Sequence, residues 1–279
     1  MSASLMVLII LLGGIAGGAI GSITGLGGGM VIVPLLTLGF HMPMPEAVGV
    51  SLFGVIATST GAAPRFVGTG LNNVRAGLFL QVAASSGALL GAYSSHFLPA
   101  KLLFVIFGLV LLYSGIVSFM PSHSEVLGAA QSSPLALRLR LNSKYQQGNS
   151  WTHYHVTGVV PGFLVMIGAG FLSALLGIGS GAFKVLAMDR IMKLPFRVST
   201  ATSNFMIGMT AATSAGFYLS HGDTSPLIAG TVILGVLVGA YVGSHWLATL
   251  RVKTLRRVFT LVLILVALQM LFKGLGWGI

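Results

Sequence analysis

The chain has 279 residues, 55% of them hydrophobic and 7% charged, against about 25% charged in an ordinary soluble domain, which excludes a water-soluble globule. Its 15 Lys and Arg outweigh 4 Asp and Glu for a formal charge of +11, yet the basic residues sit between apolar runs, where they read as topology signals facing anionic lipid rather than as contacts to nucleic acid. The absence of cysteine excludes disulfides, thiolate metal sites and cysteine nucleophiles.

A hydrocarbon core about 30 Å thick is crossed by about 20 apolar residues as helix. Segments of that kind fall at 5–23, 47–66, 76–97, 101–120, 156–176, 199–219, 226–248 and 257–272. The first has no Lys or Arg before it and no clear cleavage site after it, so it is read as a retained helix rather than a signal peptide. Two further apolar pieces, 30–40 and 182–192, would measure only about 16 Å as helix and cannot cross alone. Each follows a glycine cluster, Gly25-Leu-Gly-Gly-Gly29 and Gly177-Ile-Gly-Ser-Gly181. The long polar stretch at 121–153 contains Arg138, Arg140, Lys144 and a Gln-Gln-Gly-Asn-Ser run, and reads as a linker.

The chain repeats itself at an offset of 152 residues without a gap from Gly18 to Leu111. The register pairs Gly25 with Gly177, Gly27 with Gly179, Gly29 with Gly181, Pro43 with Pro195, Ser51 with Ser203, Thr58 with Thr210, Gly70 with Gly222, Gly87 with Gly239, Gly91 with Gly243, Lys101 with Lys253 and Phe107 with Phe259. Low-complexity composition would match Leu, Val and Gly by chance but would not hold proline and lysine in the same register, so duplication is the better reading.

Positive charge decides whether the copies run parallel or inverted. If each short piece continued the preceding helix, the basic residues would divide almost evenly between the two faces. If each glycine cluster instead reverses the chain, one face collects Arg65, Arg75, Arg138, Arg140, Lys144, Arg190, Lys193, Arg197, Arg251, Lys253, Arg256 and Arg257, and the other keeps Lys101 and Lys273. The positive-inside rule prefers the second arrangement. The expected fold is therefore an all-α polytopic membrane protein of two inverted-topology repeats. Each repeat has a Gly-rich re-entrant hairpin and three or more transmembrane helices. Its parts are a first repeat (1–120), a cytoplasmic linker (121–153) and a second repeat (154–279), with both termini outside.

Inverted repeats with broken helices are a transporter architecture, because exchanging the conformations of two similar halves moves a central site between the faces. Backbone N–H groups at Gly27, Gly28 and Gly29, and at Gly179, Ser180 and Gly181, open the short helices and can point at an anion. Ser51, Thr58, Ser203, Asn204 and Thr210 offer hydroxyl and amide groups in repeat-related or adjacent positions that can replace water around a small oxyanion, although each singly is also a helix-packing group. Lys184 is the basic residue inside an apolar segment, a functional candidate by position, with snorkelling to the interface as its ordinary alternative; its repeat partner is Ile32. Asp189 beside Arg190 reads as an interface pair, and Gln81, Ser85 and Ser86 as packing groups.

No cofactor and no metal are expected: His153 and His155 form a lone His-x-His. No HExxH, Walker A or GxSxG motif points to an enzyme, and any active transport would draw on an ion gradient, with a proton or sodium as coupling ion. The small-xxx-small pairs Gly87/Gly91 and Gly239/Gly243 pack helices within one chain as readily as in a homodimer.

Through Gly25-Leu-Gly-Gly-Gly-Met-Val-Ile-Val-Pro34 and Glu46-Ala-Val-Gly-Val-Ser51, repeated as Gly177-Ile-Gly-Ser-Gly181 and Ser199-Thr-Ala-Thr-Ser203, the chain resembles the TauE/SafE sulfite exporter family. The likeness covers nearly everything but the linker. It implies a transporter for sulfite or sulfur-containing organic anions in a bacterial or archaeal plasma membrane. Export of a small sulfur-containing anion by alternating access is the leading expectation. The other two are transport, uptake included, of another small organic anion, and a non-transporting scaffold or sensor.

Overall fold

The computed structural model describes residues 3–24, 27–66, 71–119, 132–147, 150–246 and 264–276. Gly25, Gly70, Arg251, Lys253, Arg256, Arg257, Phe259 and the stretch 121–131 lie outside them, as does the side chain of Arg65. Helix α1 (Ala3–Thr24) is followed by the short α2 (Gly29–Pro34), then α3 (Met44–Phe66), α4 (Val74–Ser95) and α5 (Ala100–Phe119). The middle of the chain folds as α6 (Pro134–Arg138) and the antiparallel hairpin β1 (Ser143–Gln147) and β2 (Ser150–Tyr154). The second half supplies α7 (Val159–Leu176), α8 (Gly181–Leu186), α9 (Phe196–Ser220), α10 (Pro226–Trp246) and α11, running 264–274. Among the described residues, α1, α4, α7 and α10 are the helices long and apolar enough to cross a membrane. Helices α3 and α9 are as long, with 23 and 25 residues, but more polar.

Both glycine clusters turn the chain back on itself. Gly21 of α1 lies against Gly28, Gly17 against Val31 and Ile32, and Gly13 against Leu35, so α2 retraces the path of α1. In the second half Gly162 lies against Met192, and Thr157 N–H donates to Met192 O at 3.1 Å. Each returning helix widens into a π-helical turn, Leu35–Gly39 and Ala187–Ile191. The sequence reading had uniform short helices here. Pro34 cannot donate a helical N–H, but Leu186 stands at the equivalent place and the widening persists, so proline is not its cause. Each segment ends on a left-handed residue, His41 (φ 53°) or Lys193 (φ 60°). Beyond it Met42 N–H donates to Leu36 O (3.1 Å) and Leu194 N–H to Met188 O (2.9 Å), one residue longer than the 6→1 bond of a Schellman helix end.

Helix pairing obeys the repeat register. Gly87 and Gly91 of α4 press on the backbone of Ile167 and Phe171 of α7, and Gly170 on that of Ala84; 152 residues away, Gly239 and Gly243 of α10 press on Ile15 and Ala19 of α1, and Gly18 on Val236. A Cβ at any of these glycines would overlap a backbone atom, so the small residues fix how closely the pairs approach.

Contacts along each pair give direction. Helix α4 runs alongside α9, from Asn73/Thr202 through Gln81/Thr210 to Ser85/Thr213. Helix α3 runs alongside α10, from Gly49/Asp223 through Gly54/Val232 to Gly61/Ala240. Helices α3 and α9, which are repeat counterparts, pass each other antiparallel, with Gly49 beside Tyr218 and Ser59 beside Asn204. The apolar core follows this interlocking: Val48, Leu52 and Val55 of α3 share one cluster with Ile207, Ala211 and Ala215 of α9 and with Leu175, Leu176 and Ile178 at the end of α7.

The stretch read as a linker, 121–153, is folded where it is described, at 132–147 and 150–153, and held at one residue. The Asn73 side chain caps α4 by accepting from Ala76 N–H (3.0 Å), and its amide donates to Leu141 O (2.8 Å) and Tyr154 Oη (2.9 Å). Its backbone N–H donates to Thr202 Oγ1 (3.1 Å), which ties the β-hairpin and α9 to the start of α4.

Candidate functional site

The two hairpin tips meet in the protein interior. Gly29 packs on the Gly177 carbonyl, and a Cβ at Gly27 would stand 3.3 Å from Ile178 O. Left-handed backbone at Gly177 (φ 67°) and Gly179 (φ 73°) makes the second turn, and Ser180 continues it at φ 45°. A side chain there costs about 1–2 kcal/mol, and strain of this kind gathers at functional sites. Gly27 holds φ 81° in the first tip, whereas Gly28 has an ordinary φ of −70°.

The repeat-paired hydroxyls all face backbone carbonyls, Thr210 Oγ1 included, 2.9 Å from Met206 O. Ser51 Oγ, fully buried on α3, donates to Gly177 O at 2.6 Å, bridging one half to the other half's tip. Thr58 Oγ1, near Gly28, donates to Gly54 O of its own helix at 3.0 Å. Both first-half hydroxyls thus spend their proton on backbone. On the second-half side, Ser203 Oγ lies 3.4 Å from Gly181 O, while the buried Ser180 Oγ and Asn204 Nδ2 have no hydrogen-bond partner. Buried polar groups are normally satisfied, so the orphaned Ser180 hydroxyl in the tip marks a place where a ligand or water completes the set, and Asn204, next to Ser203 on α9, carries a second orphan.

Lys184 is wholly buried on α8, which removes the snorkelling alternative. Its Nζ donates to Thr210 Oγ1 at 2.6 Å. Thr210 also meets the Gln81 side chain of α4, whose amide, oriented to satisfy both ends, donates to Met206 O (3.1 Å) and accepts from Ser85 Oγ (2.7 Å) and Thr210 Oγ1 (3.2 Å). Ser85 and Thr213 hydroxyls, 3.3 Å apart, extend this line between α4 and α9. Gln81 thus belongs to the polar line that begins at Lys184. The 129-residue separation between Gln81 and Thr210 hid that link from a one-dimensional reading, although polar side chains inside two membrane-length helices were a signal. Ser59 was missed in the same way: its hydroxyl donates to Asn204 O at 2.7 Å. Asp189 is buried in the π-helical turn of the same segment.

Of the residues expected at the site, the structure gathers Gly27, Gly28, Gly29, Ser51 and Thr58 around the first tip and its contact with Gly177 and Ile178. Gly179, Ser180 and Gly181 form the second tip, which Ser203 approaches; Asn204 follows Ser203 on α9 and meets Ser59 of α3, and Lys184 and Thr210 stand one helical turn or more beyond the tip. Among the described residues no group of three or more His, Asp or Glu stands where it could hold a metal ion.

A mainly helical multi-pass membrane protein whose halves each send a broken hairpin to a shared meeting point has the construction of a membrane transporter. The chain belongs to the sulfite exporter TauE/SafE family, which matches residues 9–270. It is 26% identical over 279 residues to the probable membrane transporter protein YunE of Bacillus subtilis (strain 168), covering 98% of this chain and 99% of that one. It is 30% identical over 242 residues to the probable membrane transporter protein YdhB of the same organism, covering 87% and 89%. To the probable membrane transporter protein ORF9 of Sinorhizobium sp it is 23% identical over 254 residues, covering 91% and 88%. No solved structure gives a significant match.

Proposed function

We propose that this protein is a secondary transporter exporting sulfite or a related small sulfur-containing anion across the plasma membrane by alternating access. The observation that carries the reading is the buried Lys184, unmatched in the first repeat, in the same hairpin as the orphaned Ser180 hydroxyl and packed on the same helix as the orphaned Asn204 amide. A buried cation with a hydroxyl as its partner is costly unless an anion joins it. Antiparallel counterparts α3 and α9 supply two halves whose conformations can be exchanged, which is what moving such a site between faces requires. The charge distribution favours a cytoplasmic β-hairpin and outside termini, since Arg75, Arg138, Arg140, Lys144, Arg190, Lys193 and Arg197 then share a face and Lys101 and Lys273 take the other.

The test is flux of sulfite, thiosulfate and sulfoacetate in liposomes containing the purified protein. Protein-dependent movement of a sulfur oxyanion is the expected result. Flux equal to that of protein-free vesicles for all of them would overturn the reading, and selective flux of a carboxylate would move the substrate to another organic anion.

A further inference from the structure

The charge count around Lys184 limits what can bind beside it. Lys184 and Asp189 are the charged side chains buried among the described residues. Lys184 Nζ has Thr210 Oγ1 as its hydrogen-bond partner, and among the described residues no carboxylate oxygen lies within 4.0 Å of it. The elements packed on α8 add no counter-ion. Helix α7 has no ionisable side chain, and those of α9 are Arg197 in its first turn and Tyr218 near its last. From α5, Tyr113 stacks on Phe183 beside Lys184 with ring centroids 5.2 Å apart. From α4 the line reaches Lys184 through the neutral Gln81 amide. Along its own segment, Asp189 stands five residues on with interactions of its own, and Arg190 next to it is only partly buried.

Resting on the anion-transport reading above, we propose that the second hairpin and α9 take their ligand as a monoanion, with Lys184 as the single counter-charge and the Ser180 hydroxyl and Asn204 amide as donors to its oxygens. One buried cation with one monoanion leaves the site neutral. A dianion would leave a net charge away from water without a partner, which is the unfavourable case. The two orphaned groups suit the same ligand, since both are neutral donors able to bind an anionic oxygen. Sulfite, which exists as both hydrogensulfite and the dianion near neutral pH, is then taken in its hydrogensulfite form. Methanesulfonate, a fixed monoanion with the same three-oxygen face, also fits.

Calorimetric titration of the purified full-length protein with sulfite, methanesulfonate and sulfate, from mildly acidic to mildly alkaline pH, tests this. The readout is the ratio of sulfite to methanesulfonate affinity, which cancels any titration of the protein itself. It is expected to fall by about tenfold per pH unit above sulfite's own ionisation, the slope for one proton. Sulfate is expected to bind at least about tenfold more weakly than methanesulfonate throughout. A ratio that stays flat or rises with pH, or sulfate binding as well as methanesulfonate, overturns the monoanion rule while leaving an anion site in place. No binding of any of these anions by the wild-type protein overturns the transport reading itself. Lys184→Gln, checked for an unchanged melting profile, should lose methanesulfonate affinity by about tenfold or more. Unchanged affinity removes the lysine from the site.

Discussion

Replacing Ser51 by Ala removes a single oxygen from the meeting point of the two halves. Ser51 Oγ lies 2.6 Å from Gly177 O, both groups are shut away from solvent, and Gly177 sits at the end of α7, where its carbonyl has left the helical ladder. Deleting the donor strands that carbonyl, at a cost of about 1–3 kcal/mol for a buried unsatisfied group. At about 2–4 °C per kcal/mol for a chain of this size, the melting temperature in detergent should fall by roughly 2–12 °C. Ser203→Ala is the companion variant: among the described residues its hydroxyl has a 3.4 Å contact to Gly181 O, at the weak limit of a hydrogen bond, while Gly25, the repeat counterpart of Gly177, lies outside them. That variant should lose less than about 1 kcal/mol. Thermal unfolding of wild type and both variants in one detergent is the assay. Equal losses, or a larger loss for Ser203→Ala, would refute the claim that Ser51 bridges the halves.

Gly87→Val and Gly239→Val each drive a side chain into the backbone of the neighbouring helix and should cost about 1–3 kcal/mol apiece, with additive effects in the double variant because the two sites belong to different helix pairs; melting curves check this. Asn73→Ala removes the α4 cap and both amide bonds to the β-hairpin, so the 132–158 segment should become markedly more sensitive to limited proteolysis while α4 and α7 stay protected. Burial pushes the Tyr154 phenol from an ordinary 10.0 up to about 12. Because the folded value is raised, the hairpin's docking should be complete below about pH 10 and lost as pH climbs through about 12, with tyrosinate absorbance rising late and Tyr154→Phe flattening that late phase.

The architecture was largely legible because membrane folds write their constraints on sequence: the apolar lengths gave the spans, and the 152-residue register fixed which helices are counterparts. The reversal at each glycine cluster was inferable from charge alone, and Gly17 and Gly21 facing α2 give its physical form. What stayed hidden depends on contacts distant in sequence or on backbone detail. The π-helical turns at Leu35–Gly39 and Ala187–Ile191 carry no composition of their own. The folded 132–158 segment was obscured by its polarity, although Ser133 and Pro134 are a recognisable helix start, with Ser133 Oγ accepting from Ala136 N–H at 3.2 Å. At the site, symmetry predicted equal roles for Ser51 and Ser203 and for Thr58 and Thr210. The structure separates the threonines only in what they accept: both donate to the carbonyl four residues back, but Ile32 opposite Lys184 gives Thr58 no cation to meet.

The anchoring of the β-hairpin by Asn73 carries a practical corollary. Trp151 on β2 is exposed, with the Lys144 ammonium 5.0 Å from its ring, and its strand ends at Tyr154, one bond away from the α4 and α9 termini that Asn73 joins. Any rocking of those two helices during turnover must drag the indole along, so its fluorescence offers a native gauge of the cycle that needs no attached dye.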